Sequence, residues 1–410
     1  MRSSGRECII AIVVTIASAA GDTLPRPTTA LEQFRARFPI FGQRVYLNSC
    51  SQGALSLDVE AAIAAFVESW RTAGSPWDRW VGEVERLRAS FAAAIGADAD
   101  EIAVMPNAST AIGAIATALA FDSDRRGVLL GAFEFPTMAH VWQAQQRRGA
   151  RIDWVPALGE TLPVEQYAAR IDERTLIVPA THVCFRNGYR LDVARLAALC
   201  RERSAYCMLD DYQRTGTAPL DVHALGVDAL VTGALKYLIG PPGVAFLYVR
   251  RGLVERLEPL STGWFGRVDP FAFSLAPVDW SASARRFETG SPPVPNVYAA
   301  AAGLDLLRTL GPAAIDAQIA RVVDRFAGGA RARGFDVMTP DDPGARGPLV
   351  VVRSSDAAAL VQRLADRGIV VSARANGLRV SFHGYNNDQD VDAVLDALDA
   401  QAALVCRRAG

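Results

Sequence analysis

Seven short apolar runs recur between residues 101 and 250: "EIAVMP", "GVLLG", "RIDWVP", "TLIVPA", "AYCMLDD", "DALVTGA" and "VAFLYVR". Runs this short and this rich in Val, Ile and Leu suit strands buried on both faces. Helical or loop stretches separate most of them, and upstream "LDVEAAIAAFVESWRTA" and "VGEVERLRASFAAAIGA" repeat their apolar residues at helical spacing. The pattern predicts an α/β fold: a large domain with a mostly parallel, seven-stranded sheet covered by helices on both faces. Ligands of such sheets bind in the loops beyond the carboxyl ends of the strands, so those loops are where chemistry is sought.

Past a long helix around "NVYAAAAGLDLLRTL", the chain runs helix, strand "PLVVVRSS", helix "DAAALVQRLADRG", strands "IVVSA" and "LRVSF", then helix "DQDVDAVLDALDAQ". This order predicts a smaller α+β C-terminal domain. The expected division is an extension over 1–33, an arm and active-site loop over 34–55, the large domain over 56–295 and the small domain with its connecting helix over 296–410. "MRSSGRECIIAIVVTIASAAGDTLP" has the basic start, apolar run and small residues of a secretion signal, and is short for a membrane span. A start codon placed upstream of the true one leaves the same trace. The latter reading is adopted, with a cytoplasmic protein; export is the alternative.

With half its residues hydrophobic and a formal net charge of −1, the chain is expected to be a soluble globular protein with no basic surplus for nucleic acid. Its six cysteines form no CxxC pair and its four histidines no HExxH, so neither metal nor disulfide framework is expected. Lysine and arginine together number 43, yet there is a single lysine, Lys236, in "TGALKYLIGPPGV". Arginine replaces lysine readily on a surface, but its guanidinium stays protonated, whereas a lysine amine can lose its proton and attack a carbonyl. Lys236 is therefore the candidate nucleophile.

Upstream, at another strand end, "MLDDYQRTG" carries Asp210 and Gln213. A carboxylate that keeps a pyridine nitrogen protonated and a lysine that holds the ring's aldehyde are the parts pyridoxal 5′-phosphate catalysis requires. "NAST", at 107–110, reads as a helix start that offers amides and hydroxyls to an anion.

Asp210, Gln213 and Lys236 resemble the DxxQ motif and Schiff base lysine of the class V aminotransferase family of fold type I pyridoxal phosphate enzymes, which includes kynureninases, cysteine desulfurases and isopenicillin N epimerase. The similarity spans roughly 40–400. It implies that Ser109 and Thr110 hold the cofactor phosphate, with Thr232 as a further donor, and that Phe135 in "EFPT" stacks on the ring. It also implies a homodimer in which Ser291 of "ETGSPPVPN" reaches the partner's site. "LRVSFHGYN" is similar to the family's RxSxHxYN signature, so Arg379 is expected to grip a substrate carboxylate, with His383 and Asn386 as structural supports. Asn48 in "YLNSCSQGAL" is a substrate-side candidate.

Two departures bear on the reaction. The mobile-loop cysteine of desulfurases is missing from "VVVSARANGLRV", and Leu235 stands where the family often has a phosphate-binding histidine or tyrosine. The expected activity is cleavage at the side chain of an amino acid by a lyase or hydrolase of kynureninase-like or carbon–sulfur lyase type. Transamination or epimerisation shares the first steps and is the alternative. A noncatalytic binding protein that keeps the fold is a third reading, opposed by the intact set of Asp210, Gln213, Lys236 and Arg379.

Overall fold

The computed structural model describes residues 29–408. The apolar N-terminal run, read as a signal or a misplaced start, lies outside the described residues. From α1 (Ala30–Arg35) the chain passes through β1 (Val45–Tyr46) to two long helices, α2 (Leu57–Ala73) and α3 (Trp77–Ala94). Ser56 starts α2 by accepting a hydrogen bond from the Val59 amide, and Gly74, at φ +68°, ends it in a conformation that disfavours other residues.

The seven expected strands form as β2 (Ile102–Met105), β3 (Gly127–Gly131), β4 (Arg151–Val155), β5 (Thr175–Thr181), β6 (Tyr206–Asp210), β7 (Ala229–Gly233) and β8 (Ala245–Val249). They make one sheet in the order β2-β8-β7-β6-β5-β3-β4. Neighbours from β4 to β7 are parallel, whereas β8 is antiparallel to both β7 and β2. The link from β7 to β8 holds no crossover helix, so the chain can only turn back beside itself. Edge strand β4 carries an exposed ion pair, Arg151 to Asp153 at 3.0 Å, a charge pattern that discourages edge-to-edge pairing.

Helices cover both faces. On one, Phe91 of α3 stacks on Phe246 of β8 with centroids 3.8 Å apart. On the other, Ile112 and Ile115 of α4 (Ala108–Ala118) share a core with Val231 and Leu247, and α5 (Pro136–Ala144) packs beside α4. Strands β3, β7 and β8 are consequently buried throughout.

The second sheet is antiparallel. Strand β9 (Leu349–Arg353) lies beside β12 (Gly377–Ser381), which pairs with β11 (Ser372–Arg374). The stretch "IVVSA", expected as one strand, divides at Val371. Its first half, β10 (Ile369–Val370), pairs in parallel with β1, so the N-terminal arm captures it before the chain enters the second sheet.

That arm continues across the molecule. Asn48 bridges to Ser381, the Cys50 amide donates to Ser381 Oγ at 2.9 Å, and the Gly53 amide donates to the Leu235 carbonyl at 2.7 Å. A Cβ on Gly53 would lie 2.4 Å from the Lys236 carbonyl oxygen, so only glycine passes here. No described helix is long and apolar enough to cross a membrane.

Candidate active site

Strands β3, β5, β6 and β7 end on one rim, where a cavity of about 300 Å³ opens. Phe135 enters it from the turn after β3, Thr181 closes β5, Asp210 closes β6, and Lys236 follows β7. The arm adds Ser51, and the first turn of α4 adds Asn107, Ala108 and Ser109. Thr137, Phe185, Tyr212 and Gln213 complete the polar and aromatic lining, and Ile112, Val183 and Leu235 add aliphatic groups.

Burial pulls the Lys236 amine down to about 8, against the pull of Asp210, which favours its charged form. A lysine so placed has a substantial neutral fraction near physiological pH, which a nucleophile or proton acceptor needs. Asp210 is itself buried, and burial pushes its carboxyl up, while the Tyr212 amide donating to Oδ1 at 3.0 Å and the Lys236 charge pull it back. Gln213 donates through Nε2 to the Cys50 carbonyl at 3.1 Å, but its buried Oε1 has no hydrogen-bond partner among the described residues. A buried amide oxygen without a donor costs on the order of 1–3 kcal/mol, which marks a site built for a further group.

Arg379 is 1% exposed and its guanidinium meets only neutral groups: Ser372 Oγ at 3.2 Å, the Phe185 carbonyl at 3.0 Å and Ser51 Oγ at 2.8 Å. Among the described residues no carboxylate pairs with it. Ser51 and Phe185 both line the cavity, so a buried positive charge lies behind its wall. At the start of α4, Asn107 accepts from the Thr110 amide at 2.9 Å and from its hydroxyl at 3.0 Å. The amides of Ala108 and Ser109 make no such bond, and the Ser109 hydroxyl meets that of Thr137 at 3.3 Å. Free amides and two hydroxyls at a helix start suit a small anion.

Of the residues singled out from sequence, Lys236, Asp210, Gln213, Phe135 and Ser109 come together around the cavity, with Arg379 behind it. Others lie elsewhere. Thr110 directs its hydroxyl to Asn107. Thr232, opposite Phe246 in the sheet, shares the strand face of Leu230, which packs toward α3 and away from α4. Asn48 stands in the arm, bridged to Ser381, and is not among the cavity-lining residues. Ser291 is exposed outside this chain's cavity; its expected role belongs to a second subunit. His383 and Asn386 brace the site: His383 Nε2 pairs with the Tyr237 carbonyl at 2.9 Å, and Asn386 accepts from the His383 amide at 2.9 Å. Burial pulls His383 down to about 4, so it stays neutral.

Sequence reasoning missed Thr181, Tyr212 and Glu134. Thr181 donates its hydroxyl to Glu134 Oε2 at 2.6 Å and its amide to Oε1 at 3.1 Å, which fixes the floor of the cavity. Burial pushes Glu134 up to about 8, and nearby Asp210 pushes the same way. An acid at the apolar end of a strand, in "GAFEFPT", was the available signal.

The sequence profile described as aminotransferase class-V matches residues 71–394. The chain is 34% identical over 371 residues to the uncharacterized aminotransferase YcbU of Bacillus subtilis, covering 90% of this chain and 98% of that protein. It is 30% identical over 396 residues to the kynureninase of Deinococcus radiodurans, covering 90% and 94%. The fold is that of a cysteine desulfurase from Thermococcus onnurineus, with a TM-score of 0.82 at 21% identity over 91% of this chain and 98% of that one. A lysine, a buried acid and a helix start suited to an anion on one rim, within a profile match that covers most of the chain, make this protein a member of the class V aminotransferases, enzymes that use pyridoxal 5′-phosphate.

Proposed function

We propose that the enzyme cleaves the side chain of an amino acid, as a kynureninase-like hydrolase or a carbon–sulfur lyase. The observation that carries this reading is the pairing of Lys236 in the cavity with the carboxylate-free guanidinium of Arg379 behind its wall. The donor set fits the cofactor: Ser109, Thr137 and the α4 amides suit its phosphate, Asp210 its ring nitrogen, Gln213 its ring oxygen, and Lys236 its aldehyde. Pyridoxal phosphate, when bound, supplies a carbonyl that condenses with amines and a ring that accepts the electron pair left at an α-carbon.

The residues supply the rest. Arg379 holds the substrate carboxylate in a planar fork. Lys236, with its amine free, would take the substrate's α-proton on Nζ. Asp210 would hold the ring nitrogen of a bound cofactor and favour its protonated form, and Phe135 would offer an apolar face. Phe185, Val183, Ile112 and Leu235 make the remaining wall apolar, which favours an uncharged side chain on the substrate. A kynureninase at 30% identity supports side-chain cleavage, and an uncharacterized aminotransferase at 34% supports transamination as the second reading.

The working form is taken to be a cytoplasmic homodimer, with the partner subunit's Ser291 completing the phosphate site. Leu260, Val268, Phe273 and Leu275, at 62–101% exposure, leave the segment 260–275 rich in exposed apolar side chains, which a second copy would cover. The test is the near-visible absorption of wild type and Lys236→Ala with cofactor, before and after borohydride, followed by a panel of amino acids with product analysis. Borohydride should fix the band only on wild type, and a substrate should release alanine or pyruvate. Release of a keto acid matching the whole substrate would favour transamination, and a band that borohydride fixes equally on Lys236→Ala would overturn the reading.

A further inference from the structure

Tyr212 stands between the two functional residues of its motif and presents its ring to the lysine. Lys236 Nζ lies 4.2 Å from the Tyr212 ring centroid and 5.8 Å from that of Phe135. Among the described residues Lys236 makes no ion pair and no side-chain hydrogen bond, and the Tyr212 ring is the nearer of the two rings that face it. The ring is held there by design of the sheet. A Cβ on Gly233, the last residue of β7, would lie 2.0 Å from Tyr212 Oη and 2.2 Å from Cζ, and Gly233 has no left-handed φ to explain it otherwise. The Tyr212 amide is tied to Asp210 Oδ1 as well.

We propose that Tyr212 is a positioning residue: its ring face seats the Lys236 ammonium whenever the amine is not bonded to the cofactor. The inference rests on the reading of Lys236 as the catalytic amine. A cation over an aromatic face in a desolvated site is stabilised. The seat therefore holds on Nζ a proton that the amine has taken up. The other charges that face the amine are Asp210 from β6, which favours its protonated form, and Arg379 and Arg374 from β12 and β11, which oppose it; the Cys50 thiol of the arm lies near too.

The single lysine allows a direct test. Protein labelled with ¹³C at lysine Cε gives one lysine resonance, which is titrated in the full-length protein before cofactor is added. Wild type should show a midpoint of about 8. Tyr212→Phe, which keeps a ring, should hold that midpoint, and Tyr212→Leu should lower it by about one pH unit. An unchanged or raised midpoint in a natively folded Tyr212→Leu protein overturns the proposal. So does the lack of a nuclear Overhauser contact between the Lys236 ε-protons and the Tyr212 ring in wild type, which needs no variant to fold. The two readings fail separately: an indifferent titration in a protein that captures cofactor on Lys236 removes only the role of Tyr212. Failure of wild type to capture cofactor removes the catalytic role, whatever the titration.

Discussion

Lys236 could be found without a structure because it is the only residue of its type, and Asp210 and Gln213 because they stand close together at a strand end. Thr181, Tyr212 and Glu134 could not, since each acquires its role from a neighbour dozens of residues away or from ring packing that spacing does not encode. On the proposal that Arg379 grips the substrate carboxylate, Arg379→Gln should raise the amino acid concentration that half-perturbs the cofactor band about 100-fold, with cofactor capture retained. Glu134 has an ordinary value of 4.5 and a folded value of about 8. The folded state thus holds a proton that the unfolded chain releases in between. Its contribution to stability is full below about pH 4.5 and lost as pH rises through about 8. Thermal melts of wild type should fall over this window more steeply than those of Glu134→Gln.

The strands themselves were legible because buried runs of Val, Ile and Leu have few other fates. Their directions and partners were less so. The reversal of β8 depends on a link too irregular for a crossover, and the division of "IVVSA" depends on capture by β1, more than 300 residues upstream. The arm was expected as an active-site loop, but its anchoring on both Ser381 and Leu235 is tertiary. Gly53→Ala tests that anchoring: its Cβ meets backbone that cannot yield cheaply, so melts should show a loss of about 1–3 kcal/mol together with a weakened response to amino acids. At α4, Asn107→Ala removes the cap and should cost about 1 kcal/mol while loosening the hold on cofactor phosphate, measured by equilibrium dialysis.

The apolar segment around Phe273 and Leu275 is the feature a lone subunit leaves unexplained, with Leu275 fully exposed. Sedimentation at micromolar concentration should give a dimer, and Phe273→Asp with Leu275→Asp should shift it toward monomer and weaken cofactor retention together. A wild type that sediments as a monomer would leave Ser291 without its expected role. The outer surface has one more property. Every ion pair among the described residues is made by arginine or histidine, and the sole side-chain amine lies inside the cavity. Amine-directed reagents that scatter over the lysines of ordinary proteins therefore meet, apart from the α-amine, a single amine target. Covalent uptake of such a reagent amounts to a census of open sites, and a tight inhibitor should shield the whole chain from it.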